Sequence, residues 1–158
     1  MSALRLYLCG SVAGRSAKEM REERQAASAS IRDMGWVPDD PLAGEYRAYK
    51  GRRNIQDDQS GLTYANITLK DKYSIDQADI IVWLTADIPS YGSCIEIGYG
   101  WAKGIPIIAI DPTKRGRKSA FVAHICTWIG DDLDAALEFI ATYMTVPEEE
   151  PTVEPVSS

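Results

Sequence analysis

Three short runs dominated by Leu, Ile and Val, at residues 4–9, 79–84 and 105–110, constrain this chain more than any other feature. They lack the alternation of a strand with one wet face, and they are too short for ordinary globular helices. Such runs fit strands buried on both sides. Helical patterns lie between them. After Ser16, a capping residue type, Met20, Arg24, Ala27, Ile31 and Met34 recur at intervals of three and four until Gly35 ends the pattern. Helices are also expected over 64–77, over 94–103 up to Gly104, and over 131–143, where Leu133, Ala136, Leu137 and Ile140 share a face. Weaker strands are expected at 36–38 and 126–129, with a short helix before the second.

Strands alternating with helices predict a parallel sheet covered on both faces. The expected fold is a single α/β domain, a flavodoxin-like three-layer sandwich with a five-stranded, mainly parallel sheet. Folds of this kind bind ligands at the carboxyl ends of the strands, near the point where strand order reverses. Residues 39–61 show little periodicity and read as a long loop. Residues 146–158, with Pro147, Pro151, Pro155 and four glutamates, read as a disordered acidic tail beyond a domain spanning 1–145.

That tail changes the meaning of the net charge. The chain carries −6, but with the tail set aside 17 basic residues face 19 of its 23 acidic ones. The balance disfavours a nucleic-acid polymer, which needs a basic face, and leaves room for a small anion. No apolar run approaches the roughly 20 residues that span a bilayer. The N-terminus lacks the pattern of a signal peptide, so no membrane partner is expected. Cys9, Cys94 and Cys126 form no CxxC pair. Neither a disulfide framework nor a zinc site follows, and a reducing cytoplasm fits. His124 stands alone, which leaves little for His-based metal sites or Ser-His-Asp hydrolysis. Chemistry must rest on carboxylates, hydroxyls and backbone amides. No metal or organic cofactor is expected.

Two turns could carry such chemistry. Gly10-Ser11, after the first strand, opens toward a helix, where backbone N–H groups suit a phosphate or carboxylate. It matches no dinucleotide fingerprint, and tight packing explains it equally well. The segment 89–100, from Pro89 through Ser90, Gly92 and Glu96 to Gly100, enters a helix from the buried strand at 79–84. With that helix starting at 94, Glu96 falls on its first turn, where Ser93-x-x-Glu96 also fits a capping box. The helix is otherwise small and apolar, with Gly98, Gly100 and Ala102 permitting close packing. An inward glutamate there is costly without a task. Asp71, on the preceding helix, offers a second carboxylate, with a solvated face as its plainer explanation; Asp76 and Asp79 read as a surface and a strand-entry residue. Two carboxylates in one pocket permit attack at an anomeric carbon and protonation of the departing group.

These residues resemble the nucleoside 2-deoxyribosyltransferase superfamily, most closely its 2′-deoxynucleoside 5′-monophosphate N-glycosidase branch. The resemblance rests on Tyr7-Leu8-Cys9-Gly10-Ser11, on Asp71 eight residues before Asp79, and on Ser90-x-Gly92-x-x-x-Glu96-x-Gly98, and it covers residues 4–129 apart from the loop. It implies that Glu96 attacks C1′ of the sugar to give a covalent intermediate, and that Asp71 serves the leaving base. It implies that Tyr7 holds the nucleophile, although a core aromatic fits that position as well. Gly10, Ser11, Ser90, Gly92 and Ser119 would bind substrate, Ser119 in the site of a neighbouring subunit, with basic Lys114, Arg115, Arg117 and Lys118 nearby. Ser90 discriminates: nucleoside-processing relatives usually carry an aspartate there, which would repel a phosphate, whereas a serine hydroxyl can donate to one.

The resemblance thus implies hydrolysis of nucleoside 5′-monophosphates to free base and sugar 5-phosphate by a homodimer or higher homo-oligomer. Base exchange by a deoxyribosyltransferase is the alternative, and a non-catalytic nucleotide-binding module is a second.

Overall fold

Each buried run becomes a strand because the sheet has a helical layer on both sides. A computed structural model describes residues 3–12, 15–43 and 63–145. The tail at 146–158 and most of the loop expected at 39–61, with Tyr46, Tyr49, Lys50, Arg52 and Arg53, lie outside the described residues. Strands β1 (Arg5–Cys9), β2 (Val37–Asp39), β3 (Ile80–Trp83), β4 (Ile107–Ile110) and β5 (Trp128–Gly130) form one all-parallel sheet in the order β2-β1-β3-β4-β5. This is the expected flavodoxin-like order. β3 and β4 are buried at every position. Pro38 has no amide hydrogen to donate, and it sits on edge strand β2, where one is dispensable.

Among the described residues, five α-helices cover the sheet: α1 (Ala17–Asp33), α2 (Tyr64–Asp76), α3 (Tyr91–Ala102), α4 (Ala120–Ile125) and α5 (Leu133–Tyr143). Ser16 caps α1 in a full capping box with Glu19. Gly35 and Gly104, just past α1 and α3, take φ of 79° and 77°, the left-handed conformation that ends a helix at low cost for glycine. The inward face of α1 is Met20, Arg24, Ala27, Ser28 and Ile31. Met34, expected on that face, lies past the last helical turn and is exposed.

Alternation along β1 divides the core. Leu6 and Leu8 point into a cluster with Ala27 and Ile31 of α1 and Ala136, Leu137 and Ile140 of α5. Tyr7 and Cys9 point the other way, toward Ile75 of α2, Ile97 of α3 and the opposite faces of β3 and β4. A methyl group at Gly100 would collide with Ile81, so this glycine lets α3 lie close on β3. At Gly98 a methyl group would meet nothing, and the expected packing role falls to Gly100 alone.

Candidate active site

The strand order reverses between β1 and β3: β1 has β2 on one side and β3 on the other. α2 and α3 flank this switch point on the Tyr7 face. Between them lies a cavity of about 310 Å³ lined by Thr68, Asp71, Lys72, Ile75, Gly92, Ile95, Glu96 and Tyr99. The two carboxylates singled out from the sequence therefore share one cavity, one on each helix.

The local frame of Glu96 differs from the expectation. α3 begins at Tyr91, and its N-cap is Ser90, whose hydroxyl accepts from the Ser93 amide at 3.4 Å. Glu96 thus lies in the second turn, and the Ser93–Glu96 capping box does not form. The reason is the cap: Ser90 takes the Ser93 amide, so the helix starts three residues earlier than expected. Glu96 is free to turn inward, where its Oε2 accepts a hydrogen bond from Cys9 Sγ at 3.0 Å. Burial pushes its carboxyl above the ordinary range and Asp71 adds to the rise, while Cys9, Arg24 and Tyr7 pull it back.

Tyr7 lies behind the carboxylate. Its hydroxyl is buried and makes no hydrogen bond of good geometry, yet it is near enough to Glu96 to favour the ionised carboxylate. Burial, then the charges of Glu96 and Asp71, push the phenol far above its usual range, so it stays protonated. Trp83 Nε1 and Ser93 Oγ are likewise buried without partners. Both belong to this side of the sheet. Asp71 is held from its own helix by Lys70, at 3.4 Å.

The remaining expected residues divide. Gly92 lines the cavity in the first turn of α3, where backbone amides have no partner within the helix. Gly10 and Ser11 close the end of β1 and do not line it. The Ser11 amide, expected to face a ligand, instead donates to Thr85 Oγ1 at 2.7 Å. Ser119 caps α4 in position only, without a side-chain bond, and is exposed outside the cavity. Of the basic group before it, Arg117 is committed to Asp111 and Asp131, at 3.0 and 2.7 Å.

Other residues were not foreseen. Arg24 is buried beneath the turn, donating to Leu8 O, Gly10 O and Asp40 Oδ1 at 2.9, 3.3 and 3.1 Å. Its sequence signal was a cation at an inward position of α1. Asp76 is no plain surface residue: it accepts from Tyr99 Oη at 2.6 Å and pairs with Lys72 and Lys103 at 3.1 and 3.2 Å. Tyr99 and the two lysines hold its carboxyl down at about 2. The same hub fixes Lys72 and Tyr99 on the cavity wall. Asp79 does enter β3 as expected, accepting from the Arg5 amide at 2.7 Å.

Sheet order and cleft together define a doubly wound α/β protein with a cavity at the switch point. No protein-family model matches the sequence, and no curated protein does. Among solved structures, the chain is similar to a Clostridium botulinum CMP N-glycosidase, BcmB, which has the nucleoside 2-deoxyribosyltransferase-like fold. Identity is 18% and TM-score 0.56, over 88% of this chain and 98% of that one. It is also similar to a molybdenum cofactor binding protein from Rippkaea orientalis, with 13% identity and TM-score 0.60, over 92% and 99% of the two chains. At such identities the shared property is the fold.

Proposed function

We propose that this protein is an N-glycosidase acting on nucleoside 5′-monophosphates. The observation that carries the reading is one cavity walled by Glu96 from α3 and Asp71 from α2, with Glu96 turned inward onto Cys9. A cleft with a carboxylate on each of two facing helices suits glycosyl chemistry. The fold shared with a CMP N-glycosidase supports the same reading.

In this mechanism a Glu96 oxygen attacks C1′ of the sugar. The C1′–N bond breaks, and the base leaves with its electron pair and a proton delivered through Asp71. Water, giving its proton to Asp71, then displaces Glu96 and releases sugar 5-phosphate. Protonated Tyr7 supports the Glu96 carboxylate from behind. Ser90, while accepting from Ser93, keeps its own hydroxyl hydrogen for a phosphate oxygen. The Gly92 amide is the second donor.

Ser119 enters this reading through a second copy of the chain, as part of a homo-oligomer. Exposed Tyr64, Leu69, Tyr73, Tyr91, Ile95 and Phe121 on α2, α3 and α4 support self-association. Light scattering of the purified protein checks it; a monomer at working concentration removes Ser119 from the site.

The main test incubates the protein with nucleosides and their 5′-monophosphates, with and without a second free base. Base release confined to monophosphates is the expected result. Exchange of bases on nucleosides would make it a transferase, and binding without turnover would make it a binding module.

A further inference from the structure

Cys9 has no part in the chemistry above, yet its sulfur is the atom that touches the proposed nucleophile. It ends β1, is fully buried, and lies 3.0 Å from Glu96 Oε2 and 3.9 Å from Ser93 O. We infer that the Cys9 thiol is a positioning residue: its S–H holds Glu96 Oε2, so that Oε1 is the oxygen presented to the sugar carbon. The inference rests on Glu96 being the nucleophile.

Three features support the assignment. Strand register fixes Cys9 beside Trp83 at the switch point, so the sulfur's position is set by the sheet and not by a loop. Burial, with the neighbouring carboxylate, keeps the thiol protonated, so it is a donor and not a competing nucleophile. A thiol is a weak donor to neutral groups and a stronger one to an anion, so its grip matters while Glu96 is ionised. A carboxylate held by one oxygen loses rotation, and the oxygen left over is the better aligned for attack.

Among the described residues, few groups face Glu96. Cys9 and Tyr7 approach from β1, Asp71 and Lys72 from α2, and Tyr99 from its own helix, with buried Arg24 of α1 acting through its charge. Cys9 favours the carboxylate by its hydrogen bond, Tyr7 by its nearby hydroxyl and Arg24 by its charge, whereas Asp71 opposes it. Removing the thiol therefore raises the Glu96 pKa.

The test has an arm in activity and an arm without it. Cys9→Ala is expected to lower kcat about 10-fold with KM within about twofold, and to move the acid limb of the rate profile up by about one pH unit. Cys9→Ser, which keeps a donor, is expected to restore most of both. Unchanged kcat and acid limb in Cys9→Ala, or a serine variant as slow as the alanine one, would overturn the inference.

The second arm is the infrared S–H stretch of the intact protein, assigned to Cys9 by its loss in Cys9→Ala, or by its loss in Cys9→Ser should the alanine variant not fold. That band is expected at lower frequency than a free thiol, and to rise in Glu96→Gln or when the pH is lowered enough to protonate Glu96. A band that does not move overturns the contact itself. If the band moves while no substrate loses its base, the positioning bond stands and the glycosidase reading is what fails.

Discussion

The two faces of the sheet use the same strands for opposite ends. On the α1–α5 face, Leu6, Leu8, Ile31, Ile108 and Ile140 form an apolar core at 0% exposure. On the α2–α3 face, Tyr7, Cys9 and Trp83 bring polar atoms into an otherwise equally buried cluster. The described buried side-chain atoms of Tyr7, Trp83 and Ser93 that lack hydrogen-bond partners all belong to this second face. Each such atom costs about 1–3 kcal/mol relative to a paired one. A fold retains that cost where a ligand or a reaction needs the group, and removes it elsewhere. One face is closed by apolar packing, and the other keeps unpaired polar atoms beside the cavity.

Substitutions can break or sharpen this contrast, and the largest effect is expected at Glu96. Glu96→Gln should reduce base release about a thousandfold or more, measured as free base by chromatography, while the circular dichroism is unchanged. It should also stabilise the protein as pH rises. Burial holds the folded-state pKa of Glu96 above the 4.5 of an ordinary glutamate, so between those two values the folded state binds more protons than the unfolded one. Wild-type stability therefore falls across that window and stays lower above it, and the glutamine variant escapes the fall. Urea titrations at acid and neutral pH check this; equal stability of the two proteins at both would remove the carboxylate from its buried setting.

On the apolar face, Leu6→Ala should destabilise by about 2–5 kcal/mol in the same titration, with kcat per folded molecule unchanged. Tyr7→Phe, one residue along, should do the reverse. It removes an unpartnered hydroxyl, so stability should hold or rise by about 1 kcal/mol. Turnover should fall about tenfold because the support behind Glu96 is lost. Equal losses of stability in both variants would erase the distinction between the faces. The most selective effect is expected for Ser90→Asp, which still caps α3 and so leaves stability alone. Its charge should raise KM for a monophosphate about tenfold and spare a nucleoside.

Much of this architecture was legible in the chain. The continuous apolar runs could only be strands with both faces covered, and Gly35 and Gly104 marked the ends of α1 and α3. Asp71 and Glu96, singled out together through the family resemblance, do line one cavity. What misled was local. Ser93 and Glu96 have capping-box spacing, but Ser90 caps the helix, so Glu96 turns inward a turn later. Gly10-Ser11 has the composition of an anion-binding turn, but Thr85, 74 residues away, takes the Ser11 amide. Asp76 carries nothing in its neighbours to suggest that Tyr99 and Lys103 of another helix converge on it.

By itself the sequence determined the order of elements and the parallel sheet, because period and glycine punctuation are local properties. Only the tertiary structure decided which atoms meet: Cys9 with Glu96, Arg24 with the end of β1, Thr85 with Ser11. The pairs join residues 87, 16 and 74 positions apart, and no spacing rule reaches across such separations. Sheet register and helix placement set those contacts.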